Sequence, residues 1–347
     1  MIFYYVYMFN SFQDSINEIF KTDVAIVQKN RIHGGDINRA LKIVLDNGAT
    51  LFVKTNSFEN VAFFETETKS LETMSKTNTI GVPKVLGFGT DKGMQNIVSD
   101  FFDNKPFSFL ILEYLEPANK NNDYWEVFGR ELAQMHKTRS ENFKTFGFFH
   151  DNFIGYTKQI NTPCNSWINF FRDYRLLPQI KKASIYFDSA IQKKFIKLLD
   201  NLENFLFEPQ FPNLLHGDLW SGNIHCGPDG KAWILDPACY YGHSEADIAM
   251  TQLFGNLPST FYAAYNEINN ISADYKDRKD LAYNSEIIAQ YVKDVMAMIR
   301  PVTTTKSAYE SHIIFEAASE NPDLKTKIFA QINANSKCEP WFFTNTS

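Results

Sequence analysis

The residues best suited to chemistry lie in one run, Leu214-Leu215-His216-Gly217-Asp218-Leu219-Trp220-Ser221-Gly222-Asn223. It holds His-x-Asp with an Asn five residues after the Asp, the spacing of a loop that catalyses phosphoryl transfer. That reaction needs a carboxylate to orient the acceptor hydroxyl and take its proton, and a neutral oxygen that helps hold Mg²⁺. Asp218 suits the first task and Asn223 the second. Eighteen residues after Asp218, the apolar stretch Trp233-Ile234-Leu235 ends in Asp236-Pro237, where a second metal ligand is required. Gly227-Pro228-Asp229-Gly230 separates strand-like residues 224–226 and 233–235 and predicts a hairpin that returns Asp236 to Asn223. An isolated Asp–Asn pair is more often a plain turn. The whole set, with apolar strands on both sides, favours the phosphoryl-transfer reading.

Such a loop must face a nucleotide-binding sheet, and the first third of the chain supplies one. Residues 24–27, 41–45 and 51–54 read as short strands, the last two joined by Asp46-Asn47-Gly48-Ala49, a strong hairpin signal. A helix is expected over 59–76 and strands over 84–88 and 109–112. From Asp123 the period becomes helical, with Trp125, Phe128, Leu132 and Met135 three and four apart. Most of the remaining chain also reads as helix. The expected class is α+β and bilobal, like a protein kinase: a small β-rich lobe over 1–116, a larger, mostly helical lobe over 117–284, and a divergent helical extension over 285–347.

Lys54 ends the third strand, where that architecture places the lysine that contacts the α and β phosphates. Phe64, Glu67, Leu71 and Met74 share one helical face, so Glu67 lies on a buried stripe while Glu65 and Glu72 point elsewhere. A buried carboxylate needs a cation. Lys54 is the best one available, and the bland alternative is a solvated helix edge. Gly34-Gly35 lets backbone approach phosphates, although such a pair also marks ordinary hairpins. No G-x-G-x-x-G and no G-x-x-x-x-G-K-[ST] is present, so neither a dinucleotide fold nor a P-loop is supported. Phe109-Leu110-Ile111-Leu112-Glu113-Tyr114-Leu115 runs into the lobe boundary, where backbone groups of a hinge would read the adenine edge.

Several longer runs resemble one family, the fructosamine (ketosamine-3-) kinases, relatives of aminoglycoside and choline phosphotransferases. They are Gly34-Gly35-Asp36-Ile37-Asn38-Arg39-Ala40, Phe63-Phe64-Glu65-Thr66-Glu67 and Gly147-Phe148-Phe149-His150-Asp151-Asn152-Phe153-Ile154-Gly155. Trp167-Ile168-Asn169-Phe170-Phe171-Arg172, Arg175-Leu176 and Pro178-Gln179 continue the pattern. The narrowest signals are Leu219-Trp220-Ser221-Gly222 inside the catalytic loop and Tyr241-Gly242-His243-Ser244-Glu245-Ala246-Asp247 after Asp236. The resemblance spans roughly residues 15–284. It implies ATP- and Mg²⁺-dependent phosphorylation of the 3-hydroxyl of ketoamines, free or on proteins.

In that picture Asp218 is the base, and Asn223 and Asp236 hold the metal. Lys54, paired with Glu67, contacts phosphate. Gly34, Gly35, Asp36, Ile37 and Asn38 line the nucleotide, and Glu113, Tyr114 and Leu115 bind adenine. Trp220, Phe171 and Arg175 face the sugar, with core packing an equal reading for Trp220. Asp247 opens an apolar helix and either caps it or braces the catalytic loop. His136 and His225 read as structural, without a second metal ligand. Some family members carry a redox-active cysteine where this chain has Asp36, so no thiol switch is expected.

Composition narrows the class further. The 347 residues carry 34 basic and 40 acidic side chains, a net charge of −6 that argues against a nucleic-acid partner. Cys164, Cys226, Cys239 and Cys338 form no metal spacing and no paired framework, as in a reducing cytoplasm. The apolar opening over residues 1–9 lacks a basic flank and falls short of the roughly 20 residues a membrane helix needs. The expectation is a monomeric cytoplasmic enzyme without membrane contact. Over 285–347 the family pattern stops, and helices are expected over 285–300, 307–319 and 322–333. Two rivals remain: an aminoglycoside- or choline-type phosphotransferase, and a catalytically silent nucleotide-binding protein. A protein kinase is disfavoured because Asp236 is followed by Pro-Ala rather than Phe-Gly, with no Ala-Pro-Glu segment after it.

Overall fold

The computed structural model describes residues 8–32, 38–92, 105–140, 143–184, 188–253, 256–275, 313–316 and 341–344. It opens with β1 (Met8–Phe9), α1 (Phe12–Phe20), β2 (Ile26–Ile32), β3 (Arg39–Leu45), β4 (Thr50–Ser57), α2 (Val61–Ser75), β5 (Val85–Asp91) and β6 (Phe107–Glu113). The strands form one sheet in the order β1-β5-β6-β4-β3-β2, antiparallel except for β1 against β5. The Asp46-Asn47-Gly48 turn closes β3 onto β4, with Gly48 at φ 85°. Strand β2 begins two residues later than expected and runs on to Ile32, because each residue from Gln28 to Ile32 has a partner on β3. Helix α1 is absent from the expected elements, although Ser11 caps it and Phe12, Ile16, Ile19 and Phe20 recur at helical spacing; Phe12 and Ile16 are buried against the sheet with Leu41, Val53 and Phe109. Lys54 sits in the sheet interior, between Ala40 on β3 and Leu110 on β6.

The chain continues through α3 (Tyr124–Lys137), β7 (Asn152–Ile154), β8 (Thr157–Gln159), α4 (Trp167–Phe171), a π-helical turn (Arg172–Leu176), α5 (Leu177–Ala183) and α6 (Ser189–Leu199). Then come β9 (Asn213–Leu215), β10 (Ile224–Cys226), β11 (Ala232–Ile234), β12 (Tyr240–Gly242), α7 (Glu245–Leu253) and α8 (Ser259–Ile268). The hairpin β10–β11 matches the expected strand pair. Two further pairs, β7–β8 and β9–β12, correct the expectation of an otherwise helical stretch. Their strands are three residues long, too short to print a period on the sequence.

The expected helix over 307–319 is also corrected. Its β-branched and aromatic residues form strand β13 (Ile313–Glu316), which pairs in parallel with β14 (Trp341–Thr344). The helices expected over 285–300 and 322–333 lie outside the described residues. Two compact units result: residues 1–175 with 208–271, and residues 176–207 with 272–347. The expected lobe boundary at residue 116 falls inside the first unit, between β6 and α3.

Helices α3 and α8 cross closely at Gly129, where a Cβ would lie 2.3 Å from the carbonyl oxygen of Phe261 and 2.9 Å from the nitrogen of Tyr265. Alanine would gain about 1 kcal/mol of helix propensity. Overpacking against backbone, which cannot swing aside, costs about 1–3 kcal/mol and wins. Gly129→Ala is therefore expected to lower the urea midpoint at unchanged m-value; an increase would mean the helices separate freely.

Candidate active site

Lys54 projects from β4 with its side chain 5% exposed. Its Nζ donates to Glu67 Oε1 at 2.7 Å and to Asp236 Oδ1, so one buried cation joins sheet, helix α2 and the segment after β11. Burial alone would lower the lysine pKa, but the carboxylates of Asp236 and Glu67 outweigh it and hold the ammonium charged. Glu67 lies on α2 with Phe64, Leu71 and Met74, all fully buried, and its own side chain is 12% exposed. Burial raises the Glu67 carboxyl above its ordinary value, and the charge and hydrogen bond of Lys54 offset only part of that rise.

Strand β9 delivers His216, Gly217 and Asp218. Burial keeps His216 neutral; its Nε2 donates to the Leu235 carbonyl at 2.8 Å and its Nδ1 accepts from the Asp218 amide at 3.2 Å. Gly217 has φ 82°, and a Cβ there would lie 2.2 Å from the Ala238 carbonyl oxygen, so only glycine fits this turn. Beyond it, Asn223 Nδ2 donates to the Asp218 carbonyl at 2.8 Å and to its carboxylate at 3.2 Å. The Leu235 amide donates to the Asn223 carbonyl at 2.9 Å, which fixes Asp236 beside Asn223. Asp236 itself adopts φ 57°, a left-handed conformation that non-glycine residues adopt at a strain usually found at functional sites. Burial, with smaller contributions from Asp236 and Asp247, pushes the Asp218 carboxyl up to about 7 against the opposing Asn223 hydrogen bond. A carboxylate poised there is suited to take a hydroxyl proton at neutral pH.

The donor set fits a magnesium ion. Asn223 commits its amide nitrogen to Asp218, which turns its oxygen away from that bond, and the Asp236 side chain is 48% exposed. Both offer hard oxygen ligands, and Mg²⁺ is normally held by one or two such side chains plus substrate phosphates. Among the described residues no cluster of three His, Cys, Asp or Glu could hold a metal without phosphate.

Asp247 braces the loop. Its Oδ2 accepts from the His216 amide at 2.7 Å, its Oδ1 from the Gly217 amide at 2.9 Å, and His136 Nε2 lies 3.1 Å from Oδ2. The ring's Nδ1 is 2.7 Å from the Tyr265 hydroxyl. Of the two roles open for Asp247, the contacts show the brace. His136 and Tyr265 complete a buried chain that sequence reasoning missed, because a histidine after an amphipathic stripe gives no signal of its partner.

Of the other expected site residues, Gly34, Gly35, Asp36 and Ile37 lie outside the described residues. Asn38 Oδ1 accepts from Asn56 Nδ2 at 2.7 Å. Glu113 ends β6, its amide donating to the Lys84 carbonyl at 3.0 Å and its carboxylate accepting from the Lys84 amide at 2.7 Å. Tyr114 and Leu115 come after β6, outside the sheet, with Lys42 Nζ 4.0 Å from the Tyr114 ring centre. Trp220 is half-buried with its indole against Gly222, where a Cβ would come within 2.2 Å of the ring. Phe171 packs on Trp167 at 5.2 Å. Arg175 donates to the Ile160 and Tyr174 carbonyls and to Asn161 Oδ1, with its guanidinium 4.1 Å from the Tyr240 ring centre. The guanidinium thus also braces protein groups.

The fructosamine kinase family model matches residues 8–288. The chain belongs to the fructosamine kinase family. A protein-ribulosamine 3-kinase, chloroplastic, of Arabidopsis thaliana is 40% identical over 279 residues, 78% of this chain and 79% of that protein. A probable ketoamine kinase of Synechocystis is 36% identical over 264 residues, 75% and 82% of the two chains. A solved fructosamine-3-kinase candidate from Haemophilus somnus superposes with a TM-score of 0.66 at 27% identity, covering 93% of this chain and 96% of that one. The fold is therefore the bilobal protein-kinase-like α+β class, and this fructosamine kinase family member is an ATP-dependent phosphotransferase with a hydroxyl acceptor. A second model, the NAD-binding domain of 3-hydroxyacyl-CoA dehydrogenase, matches residues 251–347. That stretch contains the parallel pair β13–β14 but no G-x-G-x-x-G phosphate-binding turn.

No helix among the described residues is long and apolar enough to cross a membrane.

Proposed function

We propose that this protein transfers the γ-phosphoryl group of ATP to the 3-hydroxyl of ketosamines, and that the phosphorylated adduct then releases its amine. The observation that carries the reading is the convergence of Lys54, Glu67 and Asp236 with the Asp218–Asn223 loop inside a fructosamine kinase family chain. The names ribulosamine 3-kinase and ketoamine kinase borne by its relatives support the acceptor class. Lys54 binds the α and β phosphates. Asn223 and Asp236 are the groups that would hold Mg²⁺, which when bound neutralises phosphate charge during transfer. Asp218 orients the acceptor and takes the proton from O3 as the new O–P bond forms and ADP departs. The backbone of Glu113 to Leu115 binds adenine, and Asn38 contributes to nucleotide binding. Trp220 and Phe171 offer apolar faces to the sugar.

The product explains deglycation. Phosphate on C3 stands next to the C2 ketone, so enolisation toward C1 makes it a leaving group. Loss of inorganic phosphate leaves an imine, and water hydrolyses it to the amine and a 3-deoxy dicarbonyl sugar. No further catalytic group is needed. All five site groups come from one chain, so the proposed site needs no residue from a partner subunit.

Incubation with Mg²⁺-ATP and a panel of ribulosamine, erythrulosamine and fructosamine, followed by NMR of the product, is expected to place phosphate on O3. Phosphate at another hydroxyl, or turnover of aminoglycosides alone, would replace the acceptor assignment and spare the kinase one. No ATP consumption with any acceptor would favour the silent nucleotide-binding protein.

A further inference from the structure

Hairpin β7–β8 has only three residues in each strand, joined through Gly155 at φ 58° and Tyr156. A hairpin that small is marginal unless something else holds it. Its base is held by buried amides. Asn152 Nδ2 donates to the Cys239 carbonyl at 2.8 Å, and Asn161 Nδ2 donates to Asn152 Oδ1 at 2.8 Å. Gln159 Nε2 reaches Asn152 Oδ1 at 3.3 Å and the Ala238 carbonyl at 3.4 Å. Arg175 Nη2 completes the base by donating to Asn161 Oδ1 at 2.7 Å. Asn152, Gln159 and Asn161 are 2%, 7% and 1% exposed, so the hairpin is fixed to the two residues that come after Asp236-Pro237.

The hairpin's other end touches helix α2. The Phe153 ring lies 4.3 Å from that of Phe63, and Tyr156 lies 6.0 Å from it. Phe63 is one helical turn before Glu67, on the same side of α2. The Lys54–Glu67 pair is thus linked to the Asp236 segment twice: directly through Lys54, and through Phe63, Phe153, Asn152 and Cys239. Neither route depends on a bound nucleotide. We propose that hairpin β7–β8 is a positioning element that holds α2, and with it the Lys54–Glu67 pair, in register with Asp236 for nucleotide binding. This rests on the kinase reading.

The test is a double-mutant cycle on nucleotide affinity, with Phe63→Leu, Phe153→Leu and the double variant. Affinity for a non-hydrolysable ATP analogue with Mg²⁺ is measured without acceptor, and ketosamine KM is measured separately. Each single variant is expected to weaken nucleotide binding up to about tenfold, with the double variant no weaker than the worse single one. Ketosamine KM is expected to stay within about twofold, since the Phe63–Phe153 contact joins α2 to the hairpin and involves no group proposed to hold the acceptor. Additive losses, unchanged nucleotide affinity with a lower Tm, or a shift confined to the ketosamine KM would each overturn the proposal. Failure of the kinase reading looks different: the wild-type protein itself would not bind the analogue.

Discussion

Asp218→Asn is expected to lower kcat by about 10²–10⁴, the usual loss when a positioned general base is removed, while nucleotide affinity holds. Asparagine keeps the shape and can still orient a hydroxyl, but it cannot take the proton. The same change should alter stability in the opposite direction. Burial pushes the Asp218 carboxyl from its ordinary 3.8 up to about 7, so the folded protein resists its ionised form. That penalty is absent below the unfolded value, grows as pH rises between the two, and is complete above the folded value. Thermal melts without nucleotide or metal should therefore coincide for the two proteins near pH 4, and Asp218→Asn should melt higher at pH 8. Equal kcat in the two proteins would remove Asp218 from its role. Equal melting at pH 8 would show that the carboxylate is well solvated.

Asp247→Ala carries the second large effect. The substitution leaves the His216 and Gly217 amides and His136 Nε2 without their shared acceptor in a site 0–1% exposed. Removing one partner from such a buried charged network costs about 3–5 kcal/mol. The urea midpoint should fall accordingly, and kcat with it, because the two amides fix the turn that aims Asp218. Asp247→Asn, which retains one acceptor oxygen, should lose less. Burial would raise the Asp247 carboxyl, but the hydrogen bond and charge of His136, with His216 and the Gly217 amide, bring it below its ordinary 3.8. Its stabilisation is therefore complete above that value and is lost as pH falls through the lowered folded value. The Asn variant should lack this acid limb. A midpoint unchanged by Asp247→Ala would mean that water takes over both amides.

Much of the site is legible in the sequence because its chemistry is concentrated in short runs. Asp218 and Asn223 share one loop, and hairpin β10–β11 is short enough for turn residues alone to put Asp236 beside Asn223. Helical spacing selects Glu67 over Glu65 and Glu72, and a place on an apolar strand selects Lys54, although β4 runs three residues past it to Ser57. Helix α1 is a signal that sequence reasoning missed: Phe12, Ile16, Ile19 and Phe20 recur at helical spacing after the cap Ser11, and all four pack on the sheet core. The pairs β7–β8 and β9–β12 escape because three-residue strands have no period to read. Strand β13 reads as helix from its sequence because a short apolar run fits both periods.

What the linear order of residues determined by itself is the reaction class: Asp218, Asn223, Asp236 and Lys54, the proposed base, metal ligands and phosphate contact, stand at spacings set by local turns and strands. What only the tertiary structure decided is how those groups are held. Asp247 reaches the catalytic loop from 31 positions away, His136 reaches Asp247 from 111, and Asn152 reaches Cys239 from 87. These are single hydrogen bonds between distant segments, often to backbone atoms that every residue carries. Local periodicity reports which face of an element is buried, and it holds no record of which far backbone group a buried polar side chain will meet.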